Sequence, residues 1–177
     1  MDGLAGAIFT AALALAGKVA FDFWERHRQR SSIAAALAGE IGAYFTLLNP
    51  RITATNYRTL ASMAYEMRCA RLRSMGKLPS GHPVFDKVAD KVGLLPTTEA
   101  FDVSKTYNII TGLRILVSDL SSDEIVSADS AAQQGRLLVI ADILTEHHQP
   151  MCDLVTRLKQ IAERPFINFI HVRFVGS

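Results

Sequence analysis

Cysteine is scarce in this chain of 177 residues, which contains only Cys69 and Cys152. The two cysteines lie far apart in the sequence, and neither belongs to a Cys-x-x-Cys pair. Disulfide frameworks and structural zinc sites need several cysteines or histidines at close, regular spacings. The sequence therefore predicts neither feature, and we expect two free thiols in a reducing compartment.

The motifs of the common enzyme classes are also missing. The chain has no Gly-rich phosphate loop, no Gly-x-Ser-x-Gly elbow, no protein-kinase motif set and no His-Glu-x-x-His pair. It also lacks the two Glu-x-x-His motifs of a di-iron helical bundle. No catalytic residue and no cofactor is predicted from the sequence.

Alternation typical of β-strands is absent before Pro165, whereas apolar residues recur three or four positions apart. The most regular series lies in the last predicted helix and consists of Leu137, Ile140, Leu144, His147, Met151, Leu154, Leu158 and Ile161. Such a seam is typical of a helix that packs against other helices. We therefore predict an all-α fold, with an antiparallel bundle of four to five helices in residues 31–165.

Capping and turn residues predict where these helices begin and end. Ser31 or Ser32 is expected to cap the first bundle helix, which should end at Asn49-Pro50. A continuous helix is expected over residues 51–77, with Leu60 and Met67 facing inward and the arginines facing outward. Three later helix ends are predicted: at Gly76 as a C-cap, at Gly93 in a left-handed cap, and at the "SSDE" stretch, residues 121–124.

One long hydrophobic run stands out at the N-terminus. From Gly3 to Phe21 the only charged residue is Lys18. At about 1.5 Å per residue, a helix of this length covers close to the ~30 Å hydrocarbon core of a bilayer. Lys18 lies near enough to the end for its long side chain to carry the ammonium toward the headgroups. The run predicts an N-terminal transmembrane helix.

Residues at the end of this run predict how the helix is oriented. The residues expected to contact lipid are Lys18, Phe21, Phe23, Trp24, Arg26, Arg28 and Arg30, which form an aromatic belt and a basic flank. Arginines resist transfer across the inner membrane, so this flank should stay cytoplasmic. We expect an uncleaved anchor and basic flank in residues 1–30, and a single-pass protein of the bacterial inner membrane with most of the chain cytoplasmic.

Three alternatives to this anchor remain open. The triplet Ala14–Ala16 resembles a signal-peptidase site, although a secretory signal has its positive charges before the apolar run. A buried helix of a soluble protein can also be apolar on every side. Ser31 to Pro50 could form a second span, but Glu40 would then lie near the bilayer centre at a cost of a few kcal/mol.

Charge is unevenly distributed along the chain. Residues 1–77 carry ten lysines and arginines against five acids, and residues 78–177 carry nine against twelve. A basic half beside a hydrophobic terminus favours an anionic lipid surface, whereas nucleic-acid binding usually needs a basic domain overall. The lipid bilayer is the expected partner, a protein partner or a second copy of the chain is the next, and nucleic acid is not expected.

The densest set of potential metal ligands is "TEHHQPMCD" at residues 145–153. His148 and Cys152 lie one helical turn apart, a spacing that metal sites use. Glu40 is the other candidate for chemistry, because it is the one charge in a long apolar stretch. An enzymatic or metal-binding hypothesis would use Glu40, His147, His148 and Cys152 in a bundle pocket. The structural alternative pairs Glu40 with an arginine of the 51–77 helix.

The final segment, residues 166–177 ("FINFIHVRFVGS"), forms a dense apolar tail. A frayed end, docking on the bundle, extension toward a partner and contact with a membrane surface are all open interpretations of it.

A resemblance to known proteins lies in the stretch from His82 to Leu113, "HPVFDKVADKVGLLPTTEAFDVSKTYNIITGL", which follows the predicted span and a helix containing "AGEI". It resembles a group of uncharacterised bacterial membrane-anchored helical proteins with a short helix ending in Gly-Leu-Leu-Pro. His82 departs from that group, whose members have an apolar residue there. The resemblance implies a bacterial inner-membrane setting and no catalytic residue.

Taken together, these patterns predict a membrane-anchored helical module with an interaction or regulatory role and without catalysis. Two other hypotheses belong to different classes: an enzyme or metal-binding bundle, and a soluble protein whose first helix packs in its own core.

Overall fold

The computed structural model describes residues 2–48, 50–75 and 81–166, with the side chains of residues 2–8, 45, 47–48 and 50–52 left out of the description. Within these residues the fold is entirely helical, which confirms the predicted all-α class. The helices are α1 Asp2–Leu48, α2 Pro50–Ser62, α3 Tyr65–Arg73, α4 Phe85–Val88, a 3-10 turn Ala89–Leu94, α5 Thr97–Asp119, α6 Asp123–Val126 and α7 Ser130–Glu163.

Helix α7 forms the centre of the bundle, and α1, α2 and α5 pack against it. The directions of these helices follow from their contacts. Ser31 near the middle of α1 bonds Ala162 at the end of α7, whereas Arg58 of α2 bonds Asp142 farther back along α7. Helices α1 and α2 therefore run antiparallel to α7. The predicted helical bundle is confirmed, but the described residues form seven α-helices rather than the expected four to five.

The core has two parts, which lie along successive halves of α7. One part joins α2, α3 and α6 to the second half of α5 and the first half of α7. The other joins the second half of α1 to the 3-10 turn, the first half of α5 and the second half of α7. Leu137 belongs to the first part and Leu158 to the second, and both are fully buried. Burial of each such leucine stabilises the fold by roughly 2 kcal/mol.

The predicted seam of α7 explains why this helix can serve both parts of the core. Of the predicted seam residues, only His147 is half-buried. The others are buried: Leu137, Ile140, Leu144, Met151, Leu154, Leu158 and Ile161. Pro150 lies inside α7 and does not end it. Asp129 begins the helix by accepting a hydrogen bond from the Ala132 N–H at 2.7 Å.

The predicted helix start at Ser31 or Ser32 is wrong, because α1 continues through both residues without a break. The stretch between Phe21 and Ser31 changes from apolar to charged, but it contains neither proline nor glycine. A change of polarity leaves the backbone hydrogen bonds intact, so it does not end a helix. The Gln29 amide donates to Glu25 at 2.9 Å, one turn back, and stabilises the helix locally. The predicted end at Asn49-Pro50 is confirmed.

The predicted continuous helix over 51–77 is also wrong, because the chain leaves the helical conformation between α2 and α3. Ala64 is extended there, with φ −56° and ψ 146°. The break shifts the inward face of the following helix, since each residue of a helix turns by about 100°. Met67, expected inside, is 64% exposed, and Arg68, expected outside, is fully buried.

The turn signals have mixed outcomes. The "SSDE" stop is confirmed, because Ser122 caps α6 by accepting a hydrogen bond from the Ile125 N–H. The left-handed cap at Gly93 is wrong: among the described glycines, Gly81 is the one with a positive φ, at 96°. Gly93 instead lies in the 3-10 turn, which ends with a Leu95 N–H bond to Val92 O at 3.0 Å. Gly76 lies outside the described residues.

Candidate functional site

The first part of α1 projects away from the bundle. Every described side chain from residue 9 to residue 22 is exposed to solvent, including Phe9 at 66% and Leu15 at 65%. The same helix buries Leu37 and Ile41 completely in its second half. Helix α1 is therefore one continuous rod with two different environments along its length.

The projecting part has no polar side that could face water while an apolar side faced the bundle. Exposed apolar residues follow each other around the helix at Phe9, Leu13, Leu15, Val19 and Phe21. Single exposed apolar side chains are ordinary on soluble proteins, but a contiguous apolar surface marks a contact with lipid or with another protein. This segment is therefore the strongest candidate for a functional surface.

The predicted lipid-contact residues continue this surface toward the bundle. We call Phe21, Phe23, Trp24, Arg26, Arg28 and Arg30 the aromatic-basic band. The Phe21 and Trp24 rings lie 5.9 Å apart between centroids. The Arg28 guanidinium lies 5.6 Å from the centroid of the Trp24 ring, within cation–π range.

Exposure differs along this band. Phe21, Trp24, Arg26 and Arg28 are exposed, as is Lys18 one turn before them, whereas Phe23 and Arg30 are half-buried. The structure thus places the predicted lipid-contact residues together, at the point where α1 enters the bundle.

The end of α7 meets α1 at the same place. The Ser31 hydroxyl donates to Ala162 O at 2.5 Å, and the His27 and Phe166 rings lie 5.5 Å apart between centroids. The chain therefore enters the bundle from the projecting helix, and leaves it after α7, at one end of the molecule.

In the part of the chain that the structure describes, no helix combines the length and the apolar character that crossing a bilayer requires. The predicted span begins at Gly3, and the side chains of residues 3–8 lie outside the described ones.

Glu40 lies in the bundle, at a junction of three segments. Its carboxylate accepts hydrogen bonds from the Val84 N–H at 2.9 Å, the Phe85 N–H at 3.0 Å and the Tyr107 hydroxyl at 2.5 Å. The two amides belong to the start of α4, where backbone N–H groups have no acceptor within the helix. The structural prediction that paired Glu40 with an arginine of the 51–77 helix is wrong, because these three donors take its oxygens instead.

His82 extends this junction, and it is 7% exposed. Its Nδ1 lies 3.0 Å from the Tyr44 hydroxyl, and its Nε2 lies 3.0 Å from the Thr111 hydroxyl and 3.4 Å from Arg114 Nη1. Its ring meets the Tyr107 ring edge-on at 5.1 Å. The sequence analysis gave His82 no role; the available signal was a histidine at a position where the similar group has an apolar residue.

Burial and the nearby carboxylate affect the two phenols of the junction in the same direction. Burial raises the pKa of Tyr107 above its ordinary value of 10.0, and the hydrogen bond to Glu40 raises it further. The pKa of Tyr44 is also raised, first by burial and then by the charge of Glu40. Both hydroxyls are therefore neutral donors at pH 7. The junction acts as a clamp that holds α4 and the residues before it against α1 and α5.

The two neighbouring histidines of α7 face different clefts. His147 lines a cleft of about 240 Å³ between α5 and α7, together with Asp102 and Arg157. His148 lines a cleft of about 400 Å³ between α2 and α7, together with Arg58. Neither cleft includes Glu40, so the structure does not bring the candidates of the enzymatic hypothesis into one pocket.

The proposed ligand pair, His148 and Cys152, lies one turn apart on α7, as its spacing requires. Cys152 is half-buried and its thiol is free. A metal site needs at least a third side chain of suitable chemistry. Among residues 2–48, 50–75 and 81–166, no group of three or more His, Cys, Asp and Glu side chains is arranged to hold a metal ion.

Arg68 is a buried charge that the sequence analysis missed. Its Nε–H donates to the Gln133 side chain at 2.9 Å, and its Nη1 donates to the carbonyls of Ala61 and Met63 at 2.8 and 3.3 Å. Its Nη2 donates to the carbonyl and hydroxyl of Ser130. The guanidinium thus satisfies carbonyls that the end of α2 leaves without a helical partner, which ties α2 and α3 to α7.

Comparison of the chain with protein families, with curated proteins and with solved structures finds no match. Function is therefore inferred from the geometry of the chain's own residues.

Proposed function

We propose that this chain is a single-pass protein of the bacterial inner membrane, anchored by the projecting part of α1. Its helical bundle then lies on the cytoplasmic side and acts as a non-catalytic interaction or regulatory module. The one observation that carries the proposal is that every described apolar side chain between residues 9 and 21 is exposed to solvent.

The energetic reason is the cost of leaving this surface in water. Moving a large side chain such as Phe9, Leu13 or Leu15 from water into an apolar environment gains roughly 1.5–3 kcal/mol. A bilayer supplies that environment on all sides of the helix, whereas these three side chains are 58–66% exposed in the folded chain. Lipid is therefore a better match than a flat protein surface, which would cover one side only.

The aromatic-basic band supports the orientation. Aromatic rings favour the interface between hydrocarbon and water, and arginines close to a span favour the cytoplasmic side. Trp24 and Arg28 stack at this position, with Arg26 beside them and exposed. An anionic leaflet would attract the guanidinium groups just where the apolar surface ends.

A non-catalytic role is supported by the use that the bundle makes of its polar side chains. Glu40 accepts three hydrogen bonds that fix the start of α4, and Arg68 donates to backbone and side-chain oxygens of the core. Each group has a packing role that explains its burial. His147 and His148 open onto separate clefts, and neither cleft is lined by Glu40 or Cys152.

The test compares two matched double variants of the full chain. L13D/L15D places charges on the projecting helix, and L138D/V139D places the same charges at exposed apolar positions of α7. An aspartate at the centre of a span costs about 3 kcal/mol, so L13D/L15D should leave the membrane pellet on alkaline washing. The wild type and L138D/V139D should stay in the pellet, and a reporter fused at Ser177 should behave as cytoplasmic.

Two outcomes would contradict the proposal. Quantitative release of the wild type without detergent would rule out an anchor. If the released protein were also a discrete dimer or higher oligomer, the projecting helix would instead be covered by a second copy of the chain. A second copy of the chain would cover the apolar surface of α1 only if no bilayer surrounds that helix.

A further inference from the structure

A third cleft lies between α2 and α3, and we call it the α2–α3 cleft. Its volume is about 400 Å³, and side chains from both helices and from the residues just after them line it. Its apolar and aromatic lining consists of Tyr57, Leu60, Met63 and Met75. Arg71 is the one charged side chain among the described residues of the lining. Small-molecule sites in proteins have this size and combine an apolar wall with a few polar groups in the same way.

The Arg71 guanidinium has no counter-charge in this cleft. It makes no hydrogen bond or ion pair with a residue that the structure describes. The arginines of the two other clefts differ in this respect: Arg58 pairs with Asp142 at 3.0 Å, and Arg157 pairs with two acids of α5. Apolar walls strengthen the field of a charge that lies beside them. An unneutralised cation on an apolar cleft therefore favours an anionic ligand.

Tyr57 provides a second, independent observation. Its side chain lines the cleft and is only 8% exposed, and its hydroxyl forms no hydrogen bond with a described residue. The oxygen is nevertheless not enclosed by protein. Buried tyrosine hydroxyls usually have a hydrogen-bond partner. Burial also raises the pKa of Tyr57, so the hydroxyl is a neutral donor at pH 7. The cleft therefore offers one unused donor in addition to one unpaired cation.

We propose that the α2–α3 cleft binds a small carboxylate with an apolar body. The Arg71 guanidinium and the Tyr57 hydroxyl donate to the carboxylate, and Leu60, Met63 and Met75 cover the apolar body. Hydrogen bonds between a guanidinium and a carboxylate are stronger than those between neutral groups. Methionine side chains are unbranched and adapt to ligands of different shape. The site neither requires nor tests the proposed membrane anchor.

Both parts of this ligand are needed to match the cleft. A bare inorganic anion would leave the apolar wall in water, so it gains nothing from hydrophobic burial. A neutral apolar molecule would cover Arg71 and Tyr57 without giving them an acceptor, and unpaired polar groups are costly to remove from water. A single cation among the described lining residues favours one negative charge on the ligand.

The experiment measures the binding of phenylbutyrate, a carboxylate with an aromatic body, by equilibrium dialysis. Full-length protein in detergent micelles is dialysed against the same detergent, so that uptake by empty micelles is equal on both sides. Phenylbutanol keeps the aromatic body without the charge, and acetate keeps the charge without the body. R71Q removes the cation and Y57F removes only the hydroxyl. R73Q is the matched control, because Arg73 is exposed on the same helix and does not line the cleft.

We expect the wild type to bind phenylbutyrate saturably, with one molecule per chain. R71Q should weaken this binding roughly tenfold, because a charge-assisted hydrogen bond is lost, and Y57F should weaken it about threefold. R73Q should bind like the wild type. Phenylbutanol should bind the wild type more weakly than phenylbutyrate does, and R71Q should remove this difference. Far-UV circular dichroism checks that each variant is folded.

Several results would overturn the inference. They are the absence of saturable phenylbutyrate binding, equal affinity in the wild type and R71Q, an equal loss in R71Q and R73Q, and acetate binding as tight as that of phenylbutyrate. The comparison stays decisive if Y57F does not fold, because Arg71 is exposed and R71Q removes no contact with a described residue. All of these results leave the proposed anchor untouched, since none of them measures attachment to a membrane.

Discussion

Glu40 shows how one side chain can join three segments of the chain. Its two oxygens accept from two backbone amides of the 84–85 turn and from the Tyr107 hydroxyl, so α1, α4 and α5 meet on a single carboxylate. Hydrogen bonds to a charged acceptor are stronger than those between neutral groups. A lone charge in an apolar stretch suggested chemistry, but its contacts in the fold are those of a helix cap.

The variant E40Q tests this role. The amide that replaces one oxygen cannot accept a hydrogen bond, so we expect the free energy of unfolding to fall by about 2 kcal/mol. The matched control is E146Q, which alters an exposed glutamate of α7. Urea unfolding of the full chain in detergent micelles, followed by far-UV circular dichroism, measures both. Equal stability of the two variants would refute the cap.

Tyr107 should make stability depend on alkaline pH. Its pKa in the folded protein lies above the ordinary value of 10.0, because burial and Glu40 disfavour the phenolate. A raised folded-state pKa contributes stability that is complete below pH 10 and is lost as the pH rises above it. The urea midpoint of the wild type should therefore fall as the pH rises above 10, and Y107F should show a weaker dependence. An identical slope in Y107F would assign the effect to other groups.

The two halves of helix α1 lie in different surroundings, although its backbone is continuous from Asp2 to Leu48. The second half contributes Ile33, Leu37 and Ile41, which lie four residues apart, to the core. None of the described side chains from residue 9 to residue 24 belongs to the core. Stability of the bundle and attachment to its surroundings should therefore depend on separate positions of one helix.

Two leucine-to-alanine variants separate these contributions. L37A opens a cavity at a fully buried position and should destabilise the bundle by about 3 kcal/mol. L13A removes the same atoms at a position that is 58% exposed, and should leave the unfolding midpoint unchanged. Urea unfolding of both full-length variants in micelles provides the comparison. Loss of bundle stability in L13A would mean that the projecting part packs against the bundle after all.

The chain as a whole is polarised in charge as well as in hydropathy. Residues 1–77 carry a net charge of +5, from ten cations and five acids, and residues 78–177 carry −3, from nine and twelve. Three of the cations, Arg26, Arg28 and Arg30, follow directly after the projecting surface. The proposed topology depends on these three more than on total charge, because the orientation of a span responds to cations close to its ends.

The triple variant R26Q/R28Q/R30Q should lose this orientation signal. We expect a mixed topology, with part of the Ser177 reporter population moved to the opposite side of the membrane. The control R71Q/R73Q/R136Q removes the same charge from exposed arginines elsewhere on the bundle and should keep a single topology. Protease protection of the reporter in inverted vesicles measures both. A uniform topology in the first variant would show that the arginines do not set the orientation.

Most of the helical architecture could be predicted from the periodicity of apolar residues in the sequence. The seam from Leu137 to Ile161 predicted the central helix, and it is buried as expected at all positions except His147. These predictions succeeded because an inward face repeats every three to four residues and is local to one helix. The "SSDE" cap succeeded for the same reason, since the Ser122 side chain bonds an amide only three residues away.

Contacts between residues that are distant in sequence could not be predicted from the sequence and are decided by the tertiary structure. Arg68 is buried because the chain breaks at Ala64 and brings it beside Gln133, 65 positions away. Glu40 meets Tyr107, 67 positions away in sequence, because α1 and α5 both pack against α7 and the 3-10 turn. Periodicity within one segment contains no record of which partner a polar group will meet, so local patterns could mark these residues as unusual but could not say what they bind.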